Sequence, residues 1–393
     1  MILTVPNMPE YTLAIHRRIE DVEAKWRDLE ENALSTPFQT YEWLSCWQRH
    51  VGAARRSQPL IVLIFDRDGR LVALLPFSLR GWGPVQILSW LGASLSDYNA
   101  PVMSRDFILS FGPGEFERFW RNLVLALPLH PLRSTVIKLS RMPERFGGVR
   151  NPFMDLPDLA CTESAYHATL QQPWDTFYET RRSSATRRKL GQQLRNLSRS
   201  GTITYSEPVE CITRRETLDA LFNCKISALK RMSKRMRVTD IFSQPGVRSF
   251  FEEVTLKCNR LVHLARLDID KDMLAGSLGL QHGTTYTFLV CCYKDGALSK
   301  YSPGRAHLNY VLKSAVDRGF TVFDFSIGDH PYKLDWCEEK TYLFEYLSGR
   351  GALGRFIGFS WRVTLQTRMW LSTKPAARQC YQMFRALVSN LRG

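Results

Sequence analysis

The sequence has no C-x-x-C pair and no H-x-x-x-H, although it contains nine cysteines and eight histidines. Scattered in this way, those residues lack the spacing of a metal site. An odd number of dispersed cysteines reads as reduced thiols of a cytoplasmic protein, small and mostly buried, rather than as a disulfide framework. No apolar run reaches the roughly 18 residues that a membrane-spanning helix requires. The N-terminus shows no basic stretch followed by an apolar core, which argues against a secretory signal. Acid is missing from one region as well: after Glu345 there are eight Lys or Arg and no Asp or Glu.

What is present is ordinary globular material. Apolar residues make up 44% of the 393, enough for two domains with cores of their own. The same order of elements is expected twice. In the first half, a helix around Ile19–Glu30 carries Val22, Trp26 and Leu29, and a second holds Trp43, Leu44 and Trp47. Strands follow at Leu60–Phe65, Leu71–Leu79 and Val85–Leu91. Phe116–Leu127 reads as a helix with Phe119, Trp120, Val124 and Leu125 on one side, and Thr135–Leu139 as a strand. In the second half, helices at Thr217–Leu229 and Val247–Asn259 precede strands at Leu261–Leu267 and Leu274–Leu280, with an acidic turn between the strands. Pro152, Pro157 and Pro173 mark the joint. This gives an N-terminal domain 1–155, a linker 156–173, a second domain 174–347 and a tail 348–393. Order alone leaves chance recurrence open.

The stretch that organises the rest is Thr284–Glu345. Thr285–Tyr293, rich in β-branched and aromatic residues, reads as a buried strand. After Ser302-Pro303-Gly304-Arg305, the residues Leu308, Val311, Leu312, Ala315 and Val316 fall on one helical face. Ser302 is placed to cap that helix, Pro303 fits its first turn, and Gly319 ends it. Phe320–Phe325 is then a second buried strand, with Asp324 near its end. Such a unit aims a helix N-terminus at one rim of a sheet. There the N–H groups of Gly304, Arg305 and Ala306 favour an anion. Neither a P-loop nor G-x-G-x-x-G occurs at this point, so a plain helix start explains the spacing equally well.

The whole string is more specific than its cap. Ser302-Pro303-Gly304, Asp324-Phe325, Gly328-Asp329, Tyr332-Lys333 and Trp336 stand in the order of a CelD/BcsL-like acetyltransferase domain. Over roughly Trp174–Leu347 the chain resembles that family, a branch of the GNAT superfamily related to the Fem-type aminoacyl transferases. The resemblance implies an α/β (α+β) fold of two tandem GNAT-like domains, with mixed sheets flanked by helices, followed by the basic helical tail. It implies direct transfer from acetyl-CoA or another acyl-CoA, as co-substrate, to an amine or hydroxyl, without a metal. By the same likeness Ser302, Pro303, Gly304 and Arg305 hold the donor. Lys333 supplies a cation, Asp329 a base, and Tyr332 a wall or hydrogen bond. Asp97, Tyr98, Arg187, Asp324 and Trp336 are the expected acceptor-side residues, Asp324 as an orienting group. His330 is set aside, because the family does not require histidine there. Arg305–Asn309 is less apolar than the family's usual run, a departure that bears on how the donor sits. The acceptor class implied is a saccharide or polysaccharide precursor. An aminoacyl-tRNA donor, or a non-catalytic role beside a membrane polysaccharide synthase, are the alternatives.

Charge is uneven. Between Thr180 and Ser200 lie Arg181, Arg182, Arg187, Arg188, Lys189, Arg195 and Arg199 with no acid, over a narrow stripe of Leu190, Leu194 and Leu197. This reads as a basic helix. A second run holds Lys225, Lys230, Arg231, Lys234, Arg235 and Arg237. The tail interleaves its cations with Phe356, Phe359, Trp361, Trp370, Leu371, Tyr381, Met383 and Phe384. That mixture suits an anionic membrane surface at the inner face, RNA phosphates such as those of tRNA, or a solvated appendage packed on the body. All three stay open on sequence alone.

Overall fold

The structure, a computed structural model, describes residues 2–6, 8–93, 95–129, 134–233 and 241–372. Lys234, Arg235 and Arg237, and the side chains of Trp370, Leu371, Tyr381, Met383 and Phe384, lie outside what it describes. The chain forms two compact units. Residues 1–35, 57–163 and 342–393 make the first, and residues 36–56 and 164–341 the second. The division falls between residues 163 and 164, and two segments are exchanged across it. The linker is also not free of structure, since a strand, β10 (Ala160–Thr169), occupies much of it.

The first unit is built on β1 (Ile2–Val5), β2 (Met8–His16), β3 (Gln58–Phe65), β4 (Leu71–Trp82), β5 (Val85–Trp90), β6 (Val102–Met103), β7 (Ser134–Pro143) and, from far along the chain, β16 (Glu339–Arg350), with a small hairpin of β8 (Arg145–Phe146) and β9 (Val149–Arg150). β1 to β5 run antiparallel in order, β5 pairs in parallel with β7, and β7 antiparallel with β16. Leu60 to Ile64 are buried without exception, as a central strand covered on both faces requires. α1 (Glu23–Asn32) buries Trp26 and Leu29. α3 (Arg105–Leu109) is short, and α4 (Glu115–Ala126) makes the crossover from β5 to β7. α4 buries Phe116, Phe119, Trp120, Leu123 and Val124, whereas Leu125 is 57% exposed. Leu125 was expected on the apolar side, yet each helical step turns the side chain by roughly 100°, which carries it past that edge. α11 (Gly351–Ser372) closes the unit.

The second unit repeats the plan. β12 (Val262–Ile269), β13 (Asp272–His282) and β14 (Thr285–Tyr293) are antiparallel neighbours, with β11 (Ile203–Ser206) beside β12. α9 (Pro303–Asp317) then crosses over, and β15 (Val322–Ile327) returns parallel to β14 and antiparallel to β10. The remaining helices are α5 (Trp174–Arg181), α6 (Ser184–Ser198), α7 (Cys211–Ser233), α8 (Val247–Lys257), α10 (Pro331–Leu334) and, from the N-terminal sequence, α2 (Tyr41–Trp47). α2 belongs here rather than with the first unit because of Trp43. This fully buried ring stands edge-on to Phe250, with centroids 4.8 Å apart.

The five apolar residues anticipated on α9 are all buried. Gly319, at φ +82°, ends the helix: its N–H bonds to Val316 O, and that of Phe320 to Ala315 O. These two bonds form a left-handed C-terminal cap. Because the Phe320 N–H is spent there, β15 starts at Val322 and not at Phe320 as expected. His307, 1% exposed, ties α9 to β13 through Nε2 and Ser277 Oγ at 2.9 Å.

Two outcomes follow from this packing. Trp43→Ala is expected to cost about 3–5 kcal/mol in urea unfolding followed by circular dichroism, the usual price of an emptied aromatic site. Burial lowers the His307 imidazole from 6.5 to about 3, so the native state keeps it neutral. Below pH 6.5 the unfolded chain takes up a proton that the native one refuses, and stability falls as pH drops towards the folded value. His307→Gln should remove roughly 2 kcal/mol of that decline by about pH 5, read from denaturation midpoints against pH.

Candidate functional site

β14 and β15 pair in parallel over only three positions, Thr285↔Val322, Tyr286↔Phe323 and Thr287↔Asp324. β14 then runs on to Tyr293 and β15 to Ile327 without one another. In the first unit the corresponding strands stay together, from Val85↔Ser134 to Ser89↔Lys138. Among the described residues it is the second unit that opens a gap between its two parallel strands, and the start of α9 follows β14 at that end.

A parted strand leaves main-chain polar groups that need other partners. Lysines supply them. Lys333 Nζ donates to Ser326 O at 3.0 Å and to Ile327 O at 2.6 Å, at the end of β15. Lys225 Nζ, from α7, donates to Cys291 O at 3.1 Å, on β14 beyond its paired stretch. Lys333 is 2% exposed, and a buried ammonium is tolerable only when its protons are matched in this way. Asp324, also 2% exposed, braces the turn that follows. Its Oδ1 accepts the Ser326 N–H at 2.6 Å, and its Oδ2 lies 3.4 Å from Thr287 Oγ1. Ser326 takes φ +61° and Gly328 φ +101°, which swings the chain over so that Lys333 reaches back.

Asp329 is exposed and accepts a hydrogen bond from Tyr166 Oη at 2.6 Å. His330 is held below the ordinary 6.5, first by burial and then by the charges of Lys333 and Lys225, with Asp329 opposing. Burial pushes the Tyr332 phenol up, so it keeps its proton. The Cys291 thiol is likewise raised by burial. Lys225, Cys291 and Tyr166 were not anticipated. The signal for Lys225 lay in the second basic run, but nothing there distinguished it from its neighbours.

The helix start differs from expectation. Ser302 is left-handed at φ +54° and makes no side-chain cap. Its hydroxyl accepts from Gln193 Nε2 at 3.2 Å instead. Turned this way, its carbonyl receives the N–H groups of Arg305 and Ala306, at 3.0 and 3.2 Å. Of the three N–H groups expected to face an anion, that of Gly304 is left. Nor is Gly304 an open approach, since a Cβ there would lie 2.9 Å from the Tyr293 ring. Pro303 is buried in the first turn.

Beside this helix start lies a cleft with Arg182, Lys189 and Arg305 for cations and Tyr178, Tyr332 and Trp336 for walls. Arg182 pairs with Asp335 at 3.1 Å and lies 5.0 Å over the Trp336 ring, which stacks on Phe177 and Tyr178. Three anticipated residues, Arg305, Tyr332 and Trp336, thus come together. Gly304 and Lys333 do not line this cleft, although each is the sequence neighbour of a residue that does. Arg187 is turned away, paired with Glu179; Arg182 and Lys189 are the members of the basic stretch that face the cleft. Asp97 and Tyr98 belong to the first unit, where Asp97 pairs with Arg141 at 3.6 Å and Tyr98 is buried. Among the described residues no group of three or more His, Cys, Asp or Glu is placed to hold a metal.

Comparison with known proteins bears on the domain that holds this cleft. Residues 184–334 match the family model described as an acetyltransferase (GNAT) domain. No curated protein matches the chain in sequence. Among solved structures it is similar to FemX at 12% identity and a TM-score of 0.55, covering 85% of this chain and 97% of that one. A likeness at such low identity is one of fold. A tandem GNAT protein from the clavulanic acid biosynthesis pathway matches at 11% identity and a TM-score of 0.45, over 86% of this chain and 99% of its own. L-PGS from Bacillus licheniformis matches at 14% identity and a TM-score of 0.45, over 79% and 88%. The stretch 184–334 is a GNAT acetyltransferase domain, and the chain is an acyltransferase by the domain that it carries.

Proposed function

We propose that the second unit moves an acetyl or other acyl group from acyl-CoA to an amine or hydroxyl of a saccharide or polysaccharide precursor. The observation that supports this reading best is the gap between β14 and β15 beside the start of α9, with a cationic cleft adjoining it. Arg305, Lys189 and Arg182 are the cations suited to the donor's phosphates, and the Gly304 N–H adds one donor. Acyl-CoA, when bound, supplies an activated thioester carbonyl. Lys333 is a positioning residue: it holds the end of β15 and sets a fixed positive charge at the gap. Asp329, oriented by Tyr166, and His330, its imidazole lowered by partial burial and then by Lys333 and Lys225, are the two proton acceptors for the attacking group. Tyr332 serves as wall or hydrogen-bond donor. The acceptor class and the CelD-like role rest on the resemblance alone. The reading places the enzyme in the cytoplasm, where acyl-CoA is supplied.

Heat-shift measurements test the donor. Acetyl-CoA should stabilise the native chain, and Lys189→Ala combined with Arg305→Ala should abolish that response. No response to any acyl-CoA, together with salt-sensitive binding of tRNA, would transfer the reading to an aminoacyl-tRNA donor. In turnover assays Lys333→Ala should lose roughly a hundredfold, as a misplaced scaffold does; an unchanged rate would remove it from the mechanism. The pH profile separates the two acceptors. With His330 as base, kcat/KM stays level to below pH 6.5, and His330→Ala lowers the plateau. A plateau lowered in Asp329→Asn but not in His330→Ala assigns the proton to Asp329.

A further inference from the structure

Helix α11 carries its apolar face outward. Gly351, Gly354 and Gly358 recur at three- and four-residue spacing and share one side. That side is pressed on backbone. A Cβ on Gly354 would lie 2.6 Å from Thr135 O of β7, and one on Gly358 3.3 Å from the Ser348 carbonyl of β16. Gly349-x-Gly351-x-x-Gly354 has the spelling of a dinucleotide loop, but these contacts consume it: a Cβ on Gly349 would meet Gly354 O at 2.1 Å. Arg362 fixes the helix further by donating to Leu347 O at 2.7 Å and pairing with Asp158.

The opposite side carries Leu353, Phe356, Phe359 and Val363, which are 40%, 68%, 64% and 43% exposed. At roughly 100° per residue these four span about 120° of arc, facing away from the glycines. A helix that serves a core does the reverse. Charge indicates what covers such a face. From Tyr346 to the end of the sequence there are eight Lys or Arg and no acid, within a chain of net charge +15. A second copy of the same chain would meet like charge, whereas an acidic lipid surface attracts it. No helix of the described residues is long and apolar enough to cross a membrane, so the contact is peripheral.

We infer that α11 lies on an anionic membrane surface, with Leu353, Phe356, Phe359 and Val363 at the acyl-chain boundary and Arg355 among the headgroups. The arrangement has the two signals that stable attachment requires, an apolar face and a basic segment. It rests on α11 and the basic residues that follow it in sequence, and is independent of the donor bound in the second unit.

Co-sedimentation of the full chain with vesicles is the test. Binding is expected to vesicles of phosphatidylcholine mixed with phosphatidylglycerol, and little to phosphatidylcholine alone. Raising the salt from about 0.1 M to about 1 M should weaken it by screening. Phe356→Ser with Phe359→Ser should weaken it roughly tenfold or more. The melting temperature of that variant should stay at the native value, because both rings face solvent. Absence of binding to the mixed vesicles overturns the inference, as does equal binding by the double variant. A dimer that the double substitution dissolves, seen without vesicle binding, assigns the face to a second copy and overturns it as well.

Discussion

The site depends on one constraint: two parallel strands that separate must find new partners for the backbone groups they abandon. In the second unit Lys333 and Lys225 meet that requirement from two different elements, α10 and α7. A side-chain ammonium is an expensive substitute for a neighbouring strand, since burying it demands matched hydrogen bonds. Its merit is that it fills little space and leaves positive charge where a strand would leave none. The gap and the positive charge beside it therefore have a single cause, and the same two ammonium groups add to the burial that lowers the His330 imidazole.

The two units share a plan but not this feature. Both send three antiparallel strands into a crossover helix and a parallel return strand. In the first, β5 and β7 stay bonded along nearly the whole of β5, so no backbone groups there call for lysines. A sheet of this order can thus be either closed or parted, according to how far its parallel pair extends.

Much of the architecture was legible in the sequence. Elements with strong periodicity or composition, such as Thr285–Tyr293 and the apolar face of α9, came out where expected, because their signal is local. The strands β1, β2, β10 and β16 were not singled out, being only partly buried and weakly alternating. The place of α2 was hidden for another reason. Its apolar residues announce a helix, but nothing local tells that Trp43 will meet Phe250 rather than a neighbour in sequence. At the site, the motif positions drew attention to the right turn. The Ser302 cap failed because a left-handed residue was not foreseeable from S-P-G, while Arg187 pairs with Glu179 and the cleft is lined instead by Lys189 of α6 and by Arg182, the extended residue that ends α5. The charge of Lys333 is legible in the sequence, but its two hydrogen bonds to the end of β15 are not.

The interleaving of the chain bears on how it is made. The first unit takes its last strand and helix from residues 342–393, and the second takes α2 from residues 36–56. During synthesis the early half therefore waits until β16, from residue 339 on, has been made before it can complete its sheet. A cut anywhere near the middle yields two fragments of which neither is whole, so the halves are bound to one another in biogenesis whatever they do separately in chemistry.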